Sequence, residues 1–188
     1  MIYLFLADGF EEIEALTPLD ILRRANKQIK TVAVGKTDLY VNGAHGIKIA
    51  ADMNIADLKS ADAASAEMLI LPGGMPGTKN LDKSPKLSEI LDLAKENESI
   101  KLAAICAAPS ILGKRGFFVG GKKAVCFPGF ENTLDGADVL YDGVCRDGRI
   151  LTAAGMGVAL DFALAALEML DGHAAAEKTA ASVIADRR

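Results

Sequence analysis

Short apolar runs alternate with longer amphipathic stretches along this chain, and the two periods predict its elements. Ile2 to Ala7 is apolar throughout, as a strand buried on both faces should be. Ile13, Leu16, Ile21 and Leu22 recur at helical spacing within Glu11 to Ala25, where Pro18 is expected to kink the helix or restart it after Thr17. Thr31 to Val34 reads as a second buried strand. Leu39–Val41 and Ile47–Ala50 flank Asn42-Gly43-Ala44-His45-Gly46, which suggests a hairpin. Met68 to Leu71 is a further strand, stopped by Pro72-Gly73-Gly74. Leu87, Ile90, Leu91 and Ala94 mark one face of a helix from about Pro85 to Asn97. Lys101 to Ile105 is a strand that runs into Cys106, with a helix expected over Ala107–Leu112. Short strands near Ala124–Phe127, Val139–Tyr141 and Ile150–Ala153 come next, then alanine-rich helices near Val158–Leu170 and His173–Ala185. Strands alternating with helices predict a mostly parallel sheet covered on both faces: a doubly wound, flavodoxin-like three-layer α/β/α sandwich.

Composition narrows the function classes. The 188 residues fit one domain over 1–188, and the pattern holds neither repeat nor linker to divide it. A formal charge of −4, from 21 basic and 25 acidic side chains, speaks against a nucleic-acid binder. No apolar run approaches the roughly 20 residues of a membrane helix. MIYLFLADGF lacks the basic start of a signal peptide, and the 3 cysteines lack secreted-type spacing, so a reducing, cytoplasmic setting is expected.

In such sheets ligands sit at the carboxyl ends of the strands. The ends in question are Ala7-Asp8-Gly9, Pro72-Gly73-Gly74 and Ile105-Cys106-Ala107-Ala108-Pro109. Cys106 stands where a strand turns into a helix, the geometry of a nucleophile elbow. A helix starting at Ala107 would aim free N–H groups at the sulfur and lower its pKa, and these with the Gly74 amide could hold an oxyanion. A strand-terminal cysteine is nonetheless structural more often than reactive, and Pro-Gly-Gly is usually just a turn. Cys126 and Cys145 lack the elbow and read as structural thiols. Glu11, Glu12 and Glu14 are explained in the first instance by favourable charge at a helix N-terminus. Glu14 differs in its apolar neighbours, Ile13 and Ala15. Turned toward the sheet ends it would be buried and protonated, able to donate to a thiolate and to shuttle a proton. On that view, loss of Glu14 should raise the Cys106 pKa. Of the 2 histidines, His173 reads as a surface or cap residue and His45 as a turn residue, solvated or reaching a partner. No Cys/His cluster has metal-ligand spacing, and Gly155-Met156-Gly157 is too short for a dinucleotide fingerprint, so neither metal nor cofactor is expected.

Asp8-Gly9-Phe10-Glu11-Glu12-Ile13-Glu14, Arg23-Arg24-Ala25, Leu71-Pro72-Gly73-Gly74, Ala104-Ile105-Cys106-Ala107-Ala108-Pro109, Leu151-Thr152 and Gly155-Met156-Gly157 occur here in one order and spacing. Together they resemble the DJ-one/ThiJ/PfpI superfamily, in the deglycase branch that holds the Parkinson-disease protein and bacterial-type members. The resemblance spans essentially the whole chain. It implies an oxidation-sensitive nucleophile at Cys106, a protonated glutamate at Glu14, and pocket positions at Gly73, Gly74 and Ala107. It also implies an arginine near the pocket at Arg24, and at His45 a pocket residue reaching over from the other subunit of a homodimer joined through the first helix.

The resemblance implies a cofactor-independent glyoxalase or deglycase acting on small 2-oxoaldehydes or early glycation adducts. Its alternative is an oxidative-stress sensor or chaperone-like protein working through Cys106 oxidation. Phe127 stands where the human-type sequence has a histidine, which disfavours a protease or amidotransferase needing a Cys–His pair. Met156 replaces the proline of a Gly-Pro-Gly turn, and Ala154 replaces a longer polar side chain. Both substitutions fall on the expected pocket rim.

Overall fold

The computed structural model describes residues 1–185; the last residues of the domain expected over 1–188 lie outside them. In chain order the elements are β1 (Ile2–Leu6), α1 (Glu12–Arg24), β2 (Ile29–Ala33), β3 (Tyr40–Asn42), β4 (Lys48–Ala50), β5 (Met53–Asn54), α2 (Ser60–Ala64), β6 (Met68–Leu71), α3 (Gly77–Asp82), α4 (Pro85–Glu96), β7 (Lys101–Ile105), α5 (Pro109–Gly113), β8 (Lys123–Ala124), β9 (Asp138–Val139), β10 (Val144–Asp147), β11 (Ile150–Ala153), α6 (Ala159–Asp171) and α7 (His173–Ser182). The main sheet has seven strands in the order β10-β11-β7-β6-β1-β2-β5. Every pairing in it is parallel except β10 with β11.

Alternation along the buried strands divides the interior in two. Tyr3, Phe5, Leu69 and Leu71 face a core with Leu87, Ile90 and Leu91 of α4, while Ile2, Leu4, Met68 and Ile70 face one with Phe162, Ala163 and Leu167 of α6. This is the three-layer α/β/α sandwich that the alternating pattern predicts. No helix among the described residues is long and apolar enough to cross a membrane.

Local geometry departs from expectation where tertiary contacts, not periodicity, decide. α1 is one continuous helix through the buried Pro18. A proline donates no N–H, so the Glu14 carbonyl loses its partner one turn on, yet the helix neither breaks nor restarts. The helix after Cys106 begins at Pro109 and has five residues; Ala107 and Ala108 belong to a turn. β8 and β9 form a separate two-stranded sheet and stop short of Phe127 and Tyr141. β5 and β10 are edge strands too short or too polar to stand out in the hydrophobic pattern.

Candidate active site

Neighbouring strand ends β1, β6 and β7 bring the chemistry together, and a strap across their tips holds it. The loop after β1 is held by the β3–β4 hairpin: the Gly9 amide donates to the Asn42 carbonyl (2.7 Å) and the Ala44 amide to the Phe10 carbonyl (2.8 Å). The Glu11 amide donates to the Gly73 carbonyl at 3.0 Å, which joins the same loop to the end of β6. The Glu11 carboxylate caps α1 by accepting from the Glu14 amide at 2.7 Å. α1 therefore enters with Glu14 turned inward, 1% exposed.

Cys106 closes the arrangement from β7. Its φ of +64° lies in the left-handed region, unusual for a residue with a side chain, and this twist turns the sulfur off the strand line. The conformation is held on both sides, by the Cys106 amide donating to the Ala153 carbonyl (2.8 Å) and the Phe127 amide donating to the Cys106 carbonyl (2.8 Å). Glycine is required opposite. A Cβ on Gly73 would stand 2.6 Å from the Cys106 Cβ and 2.6 Å from Glu14 Oε2.

The Cys106 thiol hydrogen-bonds the Glu14 carboxylate, and the Gly73 amide donates to Glu14 Oε2 at 2.9 Å. Burial pushes the Glu14 carboxyl up to about 7, against the pull of Cys106 and the Gly73 and Met156 amides. Burial, and next the Glu14 charge, push the Cys106 thiol up to about 12, although the Gly74 and Ala107 amides point at the sulfur and pull it down. The depressed thiol expected from the sequence is thus reversed, first by burial of the sulfur and then for two further reasons. The following helix is too short, and begins too late, to lend much dipole. The partner acid is also the easier of the two to ionise. Loss of Glu14 should accordingly lower the thiol pKa, the opposite of the sequence expectation.

Cys106, Glu14, Gly73, Gly74 and Ala107 therefore converge within one chain. Arg24 does not join them. It lies ten residues beyond Glu14, about 15 Å along the helix axis. Its guanidinium pairs with Asp20 at 2.7 Å, in a groove lined by Leu16, Ile21, Leu160 and Val183. His45 sits on the strap with an exposed side chain, and its Nδ1 is 2.9 Å from Glu12 Oε2. That contact raises the His45 pKa.

Sequence reasoning missed Glu12, grouping it with an ordinary acidic first turn. It is 2% exposed and accepts from the backbone amides of His45 (2.7 Å) and Ile47 (3.4 Å), so it fastens the hairpin to α1. The signal lay in the glycine at position 43, where a Cβ would collide with the Glu12 carboxylate. Glu11, Glu12 and His45 offer donor atoms within 4.8 Å of one another, a spacing that could hold a cation. Those donors are largely committed to the cap, the hairpin amides and the His45 ring. Cys126 and Cys145 are buried, as expected of structural thiols, and burial raises both pKa values.

The comparisons with known proteins converge on one family. The model of the DJ-1/PfpI family matches residues 1–169. Protein DJ-1 homolog B of Arabidopsis thaliana is 35% identical over 169 residues, covering 89% of this chain and 37% of that protein. The chain thus spans little more than a third of that plant relative's length. The glutathione-independent glyoxalase DJR-1.2 of Caenorhabditis elegans is 30% identical over 164 residues, 86% of this chain and 83% of that protein. Among solved structures, oxidized DJ-1 of Toxoplasma gondii superposes with a TM-score of 0.88 at 31% identity, covering 97% of each chain.

Proposed function

The chain belongs to the DJ-1/PfpI family, and from that premise we propose that it is a glyoxalase- or deglycase-type enzyme whose nucleophile is Cys106. The observation that carries this reading is the hydrogen-bonded Cys106–Glu14 pair beneath the Gly74 and Ala107 amides. Once pH rises above about 7 the pair holds its charge on Glu14 and its proton on sulfur. A small 2-oxoaldehyde then brings its aldehyde carbon to Cys106. The sulfur adds to the carbon as its proton passes to Glu14, and the Gly74 and Ala107 amides hold the developing oxyanion. Glu14 passes that proton to the oxyanion, which gives a hemithioacetal and leaves the carboxylate ionised again.

The glutamate next takes the proton from the former aldehyde carbon and returns one to the neighbouring carbonyl carbon. The aldehyde carbon is thereby oxidised to a thioester and the ketone carbon reduced to an alcohol. Water cleaves the thioester, releasing the 2-hydroxy acid and restoring the thiol. Electrons balance within the substrate, so the sequence of steps draws on no external oxidant. The same addition to the carbonyl of an early glycation adduct is the deglycase form of the reaction. Release of lactate from methylglyoxal by the purified chain tests it: turnover lost in Cys106→Ala supports it, and no turnover above buffer overturns it.

A second reading has its own observation. Cys106 is partly exposed while Cys126 and Cys145 are buried, so peroxide meets Cys106 first. Glu14, once protonated, can donate a hydrogen bond to an oxidised sulfur and so hold it in place. After mild peroxide, a gain of about 32 Da, two oxygens, on Cys106 ahead of the other thiols supports the sensor. Equal oxidation of all the thiols removes it.

The functional unit proposed is a homodimer through α1. Ile13 and Leu160 leave large apolar side chains exposed on α1 and α6, beside an open groove of about 480 Å³. A second chain on this face would cover them.

A further inference from the structure

Side chains on the rim of the Cys106 pocket point to the kind of aldehyde it takes. Phe127 lies three residues beyond β8, and its amide is spent on the Cys106 carbonyl. Its side chain is left 47% exposed. A Cβ on Gly155 would touch ring atom Cδ2 of Phe127 at 3.4 Å and stand 3.9 Å from Glu14 Oε1. The ring therefore stands beside the carboxylate, across a gap that glycine leaves open. Met156 comes next in the chain, its amide turned to Glu14 and its side chain 54% exposed. Met75, 42% exposed, follows in sequence the Gly74 amide that faces the sulfur. Ala107 and Ala154 add no bulk.

Charge on this rim is of one sign or already neutralised. Glu11 and Glu14 are the acids. His45 is paired with Glu12, and Arg24 is held away by Asp20. Among the described residues a substrate carboxylate would meet no free cation here, and sugar hydroxyls would meet a phenyl ring and thioethers that offer them at most weak acceptors. An apolar substituent would cover those same side chains and gain from leaving water.

We propose that the pocket selects 2-oxoaldehydes whose second carbon carries an apolar group larger than methyl, with arylglyoxals as the best-fitting class, and that Phe127 and Met156 form the binding wall for that group. The proposal rests on the reading of Cys106 as a thiol that adds to aldehydes. It disfavours anionic 2-oxo acids and polyhydroxylated glycation adducts as preferred substrates.

Phenylglyoxal and methylglyoxal are the probes, with mandelate and lactate as the products measured. The wild-type chain should show kcat/KM for phenylglyoxal about tenfold above that for methylglyoxal. Phe127→Ser, or Met156→Ser should that variant fold poorly, should bring the ratio to within about twofold of unity. The intrinsic reactivity of each aldehyde divides out between wild type and variant. Val119→Ser, an exposed apolar position remote from the pocket, should leave the ratio unchanged. A wild-type preference for methylglyoxal, or a ratio untouched in both rim variants, overturns the proposal.

A second measurement separates this from the reaction itself: protection of Cys106 from alkylation by iodoacetamide. Phenylglyoxal should protect at about a tenth of the concentration needed with methylglyoxal, and Phe127→Ser should erase the difference. Protection with that preference but no product overturns the reaction and upholds the rim. Equal protection by both aldehydes overturns the rim.

Discussion

Glu14 Oε2 and the Cys106 Cβ lie on either side of Gly73, each 2.6 Å from where a Gly73 side chain would begin. Acid and thiol can meet only because that residue is glycine, and the same backbone amide steadies the acid at 2.9 Å. One buried hydrogen bond then makes each group's ionisation depend on the other's.

This coupling predicts a pH dependence of both rate and stability. Glu14 must be ionised to accept the thiol proton, so kcat/KM should climb with pH through about 7. Glu14→Gln should lose that limb and cost about 10²- to 10⁴-fold in rate. It should also lower the Cys106 pKa from about 12, because a charge beside the sulfur is gone. Titration of thiolate absorbance reads this directly. For stability, Glu14 is raised from 4.5 to about 7 on folding. Across that window the folded chain holds a proton the unfolded chain has lost, so stability falls as pH rises. The loss is complete above pH 7 and amounts to ~3 kcal/mol. Urea titrations at pH 5 and 8 should show it in wild type, and a near-flat response in Glu14→Gln.

Much of this site is legible in the amino-acid sequence, and the reasons for success and failure differ. Buried strands announce themselves by continuous hydrophobicity, so β1, β6 and β7, and with them the elbow at Cys106, follow from the pattern. Glu14 stands out because a carboxylate flanked by Ile13 and Ala15 has to be explained. Glu12 does not, since its role depends on the hairpin some 30 residues further on, which folds back over α1. The sign of the thiol shift is hidden as well. It depends on how deeply the pair is buried and on a helix that starts two residues late, and neither is encoded in local spacing. Arg24 is legible only as a helix residue: within a single chain it lies ten residues beyond Glu14 and pairs with Asp20 one turn away.

Gly73→Ala tests the steric argument. Its Cβ must displace either the thiol-bearing carbon or the carboxylate, so the pair separates even if the fold survives. Overpacking of this kind costs about 1–3 kcal/mol. The expected outcome is loss of more than about 90% of turnover, with a Cys106 pKa below the wild-type value because Glu14 no longer sits against the sulfur. A variant with wild-type turnover would show that the approach of acid and thiol is not needed.

Cys106→Gly and Cys106→Ala measure what the elbow costs. Both abolish the chemistry. Alanine keeps the side-chain penalty at φ +64°, and glycine does not. Glycine should therefore be the more stable replacement, by about 1 kcal/mol in urea unfolding. Equal stabilities would mean that the backbone there is unstrained.

Glu12→Ala removes the acceptor for the His45 and Ile47 amides and the partner of the His45 ring. Losing hydrogen bonds from these part-buried amides costs about 0.5–1.5 kcal/mol each, and the cost should fall locally on the hairpin. Amide exchange at Val41 to Ile49 should accelerate more than exchange in β7. The pH response of His45 should change with it, since its pKa is raised chiefly by the hydrogen bond to Glu12. Removing Glu12 should return the His45 titration, followed by its ring proton shifts, toward the ordinary histidine value.

The α1–α6 face makes the last test. An apolar Ile13 that is 48% exposed sits next to the buried Glu14 on the same helix turn, so whatever covers Ile13 also fixes the entry of α1 into the site. If a second chain covers it, Leu160→Glu on the neighbouring helix places a charge in the interface without touching Cys106 or Glu14. The variant should run as a monomer by light scattering where the wild type runs as a dimer. It should also lose thermal stability in a concentration-dependent way, because association stabilises only the folded chain. A wild-type chain that is monomeric at tens of micromolar would remove the dimer, and with it any pocket role for His45 from across an interface.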